Sequence, residues 1–320
     1  MDLPRALERV VGIQAQYAPA VYVGLWTRLA GFDRAALDIA LEDHGVVQGA
    51  LMRATIHLVS PIDYWPFALA VRRPRRAQWL RTRRETTAAQ MAGAARRLRR
   101  RLDDDGSLRA REVDALLGRP YALGVGLWLD LLREPPSGTW ARRRADLYAL
   151  AEQHVPAGRV TPAQAVEHLV CSYLRGFGPA ARADIASFTG LAPGALAPAL
   201  RRMELRHFAG PDGQDLLDVP DGLLPDPETP APVRLLPVWD ATLLVHARRT
   251  AILPEEYRPR IFTSTNPHSL NTFLVDGAVA GSWAYRDGRI VLDAWTGIDP
   301  ATRRALDDEA QRLAGLHQAP

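Results

Sequence analysis

The stretch Arg53-Ala54-Thr55-Ile56-His57-Leu58-Val59 reads as a strand, because it alternates in polarity and is β-branched in part. Three stretches with helical periodicity precede it in the chain. Three helices followed by a strand is the element order of a winged helix-turn-helix, so we predict a unit of that kind at the N-terminus. The predicted helices span Arg5 to Gln14, Ala20 to Ala30 and Arg34 to Glu42, the last of them capped by Asp33.

The same plan returns twice between residues 72 and 225. In its last copy a helix begins at Thr161-Pro162, and Leu196 to Met203 is the recognition-type helix. Pro198 is expected in the first turn of that helix, since proline breaks a helix interior. Two strands joined by Gly210-Pro211-Asp212-Gly213 form the predicted wing.

A proline-rich, acidic linker at residues 220–232 separates these units from a region with the periodicity of strands. The predicted fold class is therefore α+β, with three tandem winged helix-turn-helix units and a small C-terminal β domain covered by a helix from Pro300 to Ala314. The predicted strands of that domain are residues 233–236, 241–245, 271–275, 278–285 and 289–294. The expected domain bounds are 1–71, 72–158, 159–225 and 226–320.

The positive charge of the chain is concentrated in one segment. All 40 basic residues are arginines, and residues 72 to 101 hold 12 of them against a single carboxylate, while the remainder of the chain is net negative. Such a segment attracts polyanions, of which nucleic acid is the commonest, although a solvated helix face is the alternative. Arginines at the tip of the second unit's predicted wing strand, Trp140 to Tyr148, would meet phosphate. The candidate DNA-binding arginines are Arg72, Arg73, Arg75, Arg76, Arg142 and Arg143.

The composition excludes several other classes of protein. No apolar run approaches the length of a membrane span, and the N-terminus carries no signal peptide. The single cysteine, Cys171, excludes an intrachain disulfide and a cysteine-based zinc site. We expect a cytoplasmic, nucleoid-associated monomer without a metal or a cofactor.

Gln14-Ala15-Gln16 is the candidate for chemistry. Pro19 should end the preceding helix near Ala15 to Tyr17, and in extended chain two residues spaced by one lie on the same face. Two glutamine amides could then converge on one small target. By itself a Gln-x-Gln pair is usually a solvated surface feature.

Five segments together resemble a known family. The chain resembles the winged-helix DNA glycosylases of the AlkZ and YcaQ type, in which three winged helices and a β domain form a concave DNA-binding channel. Gln14 and Gln16 match that family's Gln-apolar-Gln motif, of the azinomycin-type branch. The matching segments are Gly12 to Gln16 with Leu25 to Leu29, Leu51 to Val59, Tyr173 to Ala180, Leu236 to Asp240 and Leu274 to Trp283.

This resemblance implies hydrolysis of the N-glycosidic bond of an alkylated purine in double-stranded DNA, such as a bulky N7-alkylguanine left by a genotoxic natural product. An N7-alkylated guanine is already cationic, so it leaves without a general acid. The enzyme then needs to position water and stabilise an oxocarbenium ion. A glutamine carbonyl can orient the water, and its amide can donate to the sugar or the lesion.

Arg53, Thr55 and His57 are two apart on the predicted strand and so share a face. Their functional interpretation is contact with DNA or support beneath the glutamines, and the alternative is a hydrogen-bonded strand facing the core. A second function also stays open: a non-catalytic DNA-binding protein, such as a regulator or a lesion-sequestering resistance protein, needs no glutamine pair.

Overall fold

Three times along the chain, a helix and a short strand are followed by two helices and two further strands. The computed structural model describes residues 2–247, 249–262 and 270–318. In each copy the first strand pairs antiparallel with the third, which gives the sheet orders β1-β3-β2, β4-β6-β5 and β7-β9-β8. This is the repeated plan that the sequence predicts.

The first copy begins with a shorter helix than predicted. α1 ends at Arg9, and residues 13–14 form a strand instead of the last helical turn. The predicted helix at Arg34 to Glu42 is confirmed, and the Asp33 carboxylate caps it by accepting from the backbone N–H of Ala35 at 3.1 Å. The elements are α1 (Leu3–Arg9), β1 (Ile13–Gln14), α2 (Ala18–Trp26), α3 (Arg34–Glu42), β2 (Val47–Ala50) and β3 (Ile56–Val59).

A long helix, α4 (Pro61–Thr82), connects the first copy to the second. The domain boundary expected between residues 71 and 72 falls inside it, so the chain runs through that point as continuous helix. The elements that follow are α5 (Ala88–Asp105), β4 (Ser107–Arg109), α6 (Ala110–Leu117), α7 (Arg119–Ala122), β5 (Leu131–Arg133), β6 (Leu147–Leu150) and α8 (Ala151–His154).

The predicted wing strand at Trp140 to Tyr148 is wrong for most of its length. β6 begins only at Leu147, and residues 134–146 form the loop between β5 and β6, which we call the wing loop. Ser137 fixes its base, because the Ser137 hydroxyl donates to the carbonyl of Arg144 and accepts from the N–H of Asp146, both at 2.7 Å.

The third copy follows its prediction with one exception. Thr161 caps α9 as expected, but Pro198 lies in the interior of α11 and not in its first turn. That prediction is wrong because the helix begins three residues earlier than Leu196, at Pro193, which itself occupies the first turn. The elements are α9 (Pro162–Phe177), β7 (Ala180–Ala181), α10 (Arg182–Thr189), α11 (Pro193–Arg202), β8 (Arg206–Ala209) and β9 (Asp215–Asp218).

The C-terminal region is an antiparallel sheet of four strands, in the order β10-β11-β12-β13, with a long terminal helix. The strand expected at residues 241–245 is wrong: Asp240 accepts from the N–H of Thr242 and starts a short 3-10 turn there. None of the helices among the described residues is both long enough and apolar enough for a membrane span. The elements are β10 (Arg234–Leu236), α12 (Arg258–Ile261), β11 (Thr272–Val275), β12 (Ala278–Arg286), β13 (Arg289–Ala294) and α13 (Pro300–Gln318).

The units share sheets and cores. β2 pairs with β5 at Gly49 and Leu132, so the strands of the first two copies form one six-stranded sheet. One core joins α4 to α9 and α10 of the third copy. A second core joins α1, α2 and α3 to the C-terminal sheet and α13. The N-terminal segment around β1 contributes to both cores, so the Gln-x-Gln motif lies where the first, third and C-terminal units meet.

Candidate active site

A tight turn after α1 places the Gln-x-Gln segment beside β3. Val11 and Gly12 both have left-handed backbone dihedrals, with φ of 58° and 74°. Only glycine fits the second position, because a Cβ on Gly12 would lie 2.8 Å from the carbonyl oxygen of Leu58. The turn reverses the chain so that β1 pairs antiparallel with β3, with Gln14 opposite His57.

The motif is extended, as the sequence predicts, but for a different reason. Ile13 and Ala15 point into the core shared with the C-terminal sheet, so the alternation of the strand turns Gln14 and Gln16 to the opposite face. Pairing with β3 produces this geometry. Pro19 is not its cause, because it lies in the first turn of α2 and starts that helix.

Gln14 and Gln16 differ in their exposure and in their partners. The Gln14 side chain is 8 % exposed, and its Oε1 accepts from the Nη2 of Arg53 at 3.3 Å. Gln16 is exposed, and its Oε1 accepts from the backbone N–H of Ile56 at 3.2 Å. In each glutamine, a hydrogen bond to the side-chain carbonyl oxygen therefore holds the amide in place.

His57 extends the network that holds Gln14. Its Nδ1 lies 3.0 Å from the carbonyl oxygen of Thr55, which can only accept, so Nδ1 carries the proton. Its Nε2 then accepts from the same Nη2 of Arg53, at 3.3 Å. Burial, followed by the positive charge of Arg53, lowers the pKa of His57 to about 3, so the ring is neutral at physiological pH.

Arg53 reaches Gln14 and His57 from outside the strand. The prediction that Arg53, Thr55 and His57 are two apart on one strand is wrong, because β3 begins at Ile56 and the three residues before Thr55 form a 3-10 turn. Arg53 has a left-handed φ of 51°, and this conformation lets its side chain fold back over the strand. His57 is 1 % exposed and hydrogen-bonded, which agrees both with support beneath the glutamines and with the alternative of a hydrogen-bonded strand facing the core.

The same guanidinium ties the motif to the third unit. The Arg53 Nη1 donates to the backbone carbonyl of Phe188, at the end of α10, and the guanidinium carbon lies 4.9 Å from the centre of the Phe188 ring. Burial lowers the pKa of Arg53 to about 10, so the side chain remains a cation. Arg53 thus supports Gln14 from below while it fixes the neighbouring unit.

The second unit reaches the motif through its wing loop. The Arg143 Nη1 donates to the Tyr17 hydroxyl at 3.1 Å, directly after Gln16 in the chain. Arg142 and Arg143 are both exposed, as their predicted role requires. A cavity of about 300 Å³ opens beside this contact, and its lining includes Tyr17, Arg143, Trp283, Tyr285 and His317.

Most of the arginines predicted to bind DNA from α4 have internal partners. Arg72 forms an ion pair with Asp130 at 2.7 Å. Arg75 donates to the backbone carbonyls of Ala50, the last residue of β2, and of Leu51, at 3.0 and 2.8 Å, and Arg76 donates to a carbonyl of the second unit at 2.6 Å. Arg73 is the exposed member of the four.

The remaining exposed arginines of the cationic segment lie on the last turn of α4, on the connection that follows it and on α5. The buried face of α5 is formed by Met91, Ala94, Ala95, Leu98 and Leu102. The opposite face of α5 is exposed to solvent. The alternative interpretation of residues 72 to 101, a solvated helix face, therefore describes this part of the cationic segment. The exposed arginines of this stretch are Arg81, Arg83, Arg84, Arg96, Arg97, Arg100 and Arg101.

Sequence reasoning missed two contacts that build the site. No sequence pattern predicts the contact between Arg53 and Phe188, which are 135 positions apart. Gly190 has a left-handed φ and leaves room for the backbone of Arg53, but from the sequence it is indistinguishable from an ordinary turn glycine. The contact of Arg143 with Tyr17 likewise joins two units whose relative placement the sequence does not encode in any local pattern.

Comparison with known proteins places this geometry in a family. The family model described as "DNA glycosylase AlkZ-like" matches residues 7–316. The chain belongs to the AlkZ-like DNA glycosylase family. A search among curated proteins gives no match. The solved structure of the Streptomyces sahachiroi DNA glycosylase AlkZ is similar over 99% of this chain and 92% of that chain, with a TM-score of 0.81 and 19% sequence identity. The protein thus has the α+β fold of that structure.

Proposed function

We propose that the protein is a monofunctional DNA glycosylase that hydrolyses the N-glycosidic bond of bulky N7-alkylguanine adducts, with crosslinks as a further substrate and self-resistance to a genotoxic natural product as its role. Gln14 and Gln16 are the proposed catalytic residues. The observation that carries this proposal is the extended Gln-x-Gln segment whose two side chains share one face and are held by their carbonyl ends.

The neutral pair suits a substrate that is already activated. Alkylation at N7 places a positive charge on the guanine, so the base departs as a neutral molecule and the sugar becomes an oxocarbenium ion. No proton has to be delivered to the leaving group. Attack by water on C1′ completes the hydrolysis, and the proton of that water passes to solvent. The protein contributes position and hydrogen bonds.

The hydrogen bonds of the two glutamines give them different roles. An arginine can only donate, so Gln14 must turn its Oε1 to Arg53 and its amide N–H groups away from it. Gln14 is then the donor to the sugar or to the lesion. Gln16 is exposed, and its carbonyl oxygen has a second lone pair beyond the one used by Ile56. Gln16 therefore orients the water.

The proposed DNA contacts are exposed arginines. Arg73, Arg142 and Arg143 reach solvent and can meet phosphate, which fixes the position of the duplex without reading its sequence. Arg72 and Arg76 act in this proposal by holding α4 against the second unit, and Arg75 by holding α4 against the end of β2 in the first unit. Arg53, Thr55 and His57 support Gln14 from beneath.

The cavity beside Tyr17 supports the choice of a bulky lesion. Four of its eleven lining residues have flat rings, Tyr17, Trp283, Tyr285 and His317, and one further lining residue, Arg143, is a cation. Aromatic side chains stack on flat ring systems and tolerate variation in their substituents. The exposed rings among the four are those of Tyr17 and Tyr285, so a polycyclic adduct attached at N7 would stack on these two, the first of which directly follows Gln16.

Incubation with DNA that carries several defined N7-guanine adducts, followed by mass spectrometry of the released bases, tests the proposal. We expect free alkylguanine from the bulky adducts and strands that stay intact at the resulting abasic sites, since the enzyme is monofunctional. Immediate strand cleavage without added base would contradict the monofunctional mechanism. Retardation of the DNA without any released base would favour the non-catalytic binding protein instead.

A further inference from the structure

Two histidines and a glutamate from the first two units lie together in the structure. His44 follows α3 of the first unit, Glu134 begins the wing loop of the second unit, and His154 ends α8. The His44 Nε2 lies 3.1 Å from Oε1 of Glu134, and the His154 Nε2 lies 3.9 Å from the same oxygen. One nitrogen or oxygen atom from each residue falls within 4.8 Å of the other two.

We propose that His44, Glu134 and His154 bind a divalent cation of the zinc class, with water completing its coordination. Two imidazoles and one carboxylate form a recognised three-ligand set for Zn²⁺. At bond lengths near 2.0–2.1 Å, the ligand atoms of a tetrahedral site are about 3.3 Å apart. The distance from Glu134 Oε1 to the His44 Nε2, 3.1 Å, is slightly shorter than that value, and the distance to the His154 Nε2, 3.9 Å, is longer.

The backbone at His44 directs its ring toward the cluster. His44 has a left-handed φ of 55° in the turn that ends α3, although Gly45, the residue type that usually takes this conformation, is the next in the chain. Asp43 precedes His44 in sequence, yet the imidazole pairs with Glu134 of another unit. The side chains are 21%, 14% and 27% exposed for His44, Glu134 and His154, so an ion can enter from solvent.

Binding requires one adjustment. The two imidazole rings are stacked, with centroids 4.1 Å apart and an angle of 17° between their planes. A shared ion must lie near the plane of each ring, so the rings of His44 and His154 have to tilt apart by rotation about their side-chain bonds. Both rings are partly exposed, which permits that rotation.

The proposed site would join the first unit to the wing loop. Glu134 is the first residue of the loop that presents Arg142 and Arg143. An ion held by Glu134 and His44 would therefore clamp the base of that loop, next to the sheet shared by the two units. This inference is independent of the proposed reaction, because it concerns a structural ion distant in sequence from Gln14 and Gln16.

Calorimetric titration of chelator-treated, tag-free protein with Zn²⁺ tests the site. We expect one equivalent per chain and a higher melting temperature with the ion. His44→Ala and His154→Ala should each weaken the affinity by about 100-fold or more, since even residues that only orient metal ligands affect binding by 10–100-fold. Replacing Zn²⁺ by Co²⁺ should give the visible absorption bands of a tetrahedral complex, and these bands should be lost in Glu134→Gln.

His207→Ala is the matched control. His207 also pairs with a carboxylate, Asp215, at 2.7 Å, but has no second imidazole beside it among the described residues. This variant should bind Zn²⁺ as the wild type does. Melting curves without the ion show whether each variant is folded. Absence of a bound equivalent in the folded wild type, or wild-type affinity for Zn²⁺ in folded His44→Ala and His154→Ala, would overturn the proposal.

Discussion

Arg53 is the residue on which the geometry of Gln14 depends. One guanidinium contacts the Gln14 amide, the His57 ring and the carbonyl of Phe188. His57 is held in turn by the carbonyl of Thr55, so every member of the chain has a fixed donor or acceptor role. A buried network in which each group is satisfied holds its members in one arrangement.

We expect Arg53→Met to disable catalysis through position and not through DNA affinity. Without the guanidinium, the Gln14 amide can rotate, and a misplacement of about 1 Å costs on the order of 100-fold in rate. Single-turnover measurement at saturating DNA should show that loss, while the dissociation constant for DNA stays close to that of the wild type. Arg303→Met, on the exposed face of α13, is the control that should change neither quantity. An unchanged rate in Arg53→Met would contradict the role assigned to Arg53.

His57 makes the stability of the protein dependent on pH. Its pKa is about 3 in the folded protein and about 6.5 in an unfolded chain, so between these values the unfolded state binds more protons. Stability is therefore complete above pH 6.5 and is lost as the pH falls toward 3. From pH 7.5 to pH 5 the contribution of His57 should fall by about 2 kcal/mol.

Denaturant unfolding of the wild type and of His57→Asn at these two pH values measures that change. The advantage of the wild type over the variant should shrink by the stated amount at pH 5. His317, whose pKa burial and nearby arginines lower to about 4, titrates in both proteins and cancels in the comparison. Parallel stability curves would show that His57 is not held neutral by burial.

At the scale of elements, the turn between α1 and β1 decides where the motif lies. We expect Gly12→Ala to lower the free energy of unfolding by about 3 kcal/mol or more. An alanine is strained in the left-handed conformation of this position, and its Cβ would also clash with the backbone of β3. Gly31→Ala is the matched control, since Gly31 has a similar φ of 69° with nothing within 4 Å of the added Cβ. It should cost only about 1 kcal/mol. Denaturant unfolding measures both changes. If Gly12→Ala and Gly31→Ala lower the free energy of unfolding equally, β1 can move away from β3 without an energetic cost.

The wing loop is the element expected to bind phosphate. Replacing Arg142, Arg143 and Arg144 by glutamine should weaken binding to undamaged DNA. It should also flatten the dependence of log affinity on log salt by about 0.9 for each phosphate that the variant no longer neutralises. Fluorescence anisotropy over a salt series measures the slope. The control replaces Arg303 and Arg304, exposed residues of α13. An unchanged slope in the loop variant would place the DNA elsewhere on the protein.

Short-range patterns predict the elements better than they predict the turns between them. The strand at residues 289–294 and the helix at residues 34–42 are confirmed to the residue, because hairpin and capping residues define their ends. The end of α1 is wrong by five residues, since the sheet pairing that pulls residues 13–14 into a strand involves a segment more than 40 positions away. The helix or strand propensity of a segment depends on neighbouring residues in the chain, so it does not predict that pairing.

At the scale of the whole molecule, the units are joined by cores and by buried charge. Arg28 of the turn after α2 donates to both carboxylate oxygens of Asp240 in the C-terminal region, at 2.8 and 2.7 Å. Burial alone would raise the pKa of Asp240, but the adjacent guanidinium outweighs it and the pKa lies below its usual value. This pair anchors the C-terminal sheet to the unit that bears the glutamines.

The fold class and the repeated plan could be predicted from the sequence, whereas the way the units interlock could not. The predicted boundary between residues 71 and 72 divides α4, yet α4 is one continuous helix and forms a core with α9 of the third unit. The extended geometry of the Gln-x-Gln motif could be predicted because it needs only local chain geometry. The contacts of Arg53 with Phe188 and of Arg143 with Tyr17 were missed because each joins two units and forms only after these units have packed together.

The central claim, that Gln14 and Gln16 act together on the glycosidic bond, is tested most directly by one rate. Release of alkylguanine from adducted DNA is followed by mass spectrometry under single-turnover conditions, for the wild type and for the variant with Gln14→Ala and Gln16→Ala. We predict that the variant stays folded and binds the DNA but releases no base above the spontaneous rate. Release at the wild-type rate would contradict the assignment of the glutamines as the catalytic pair.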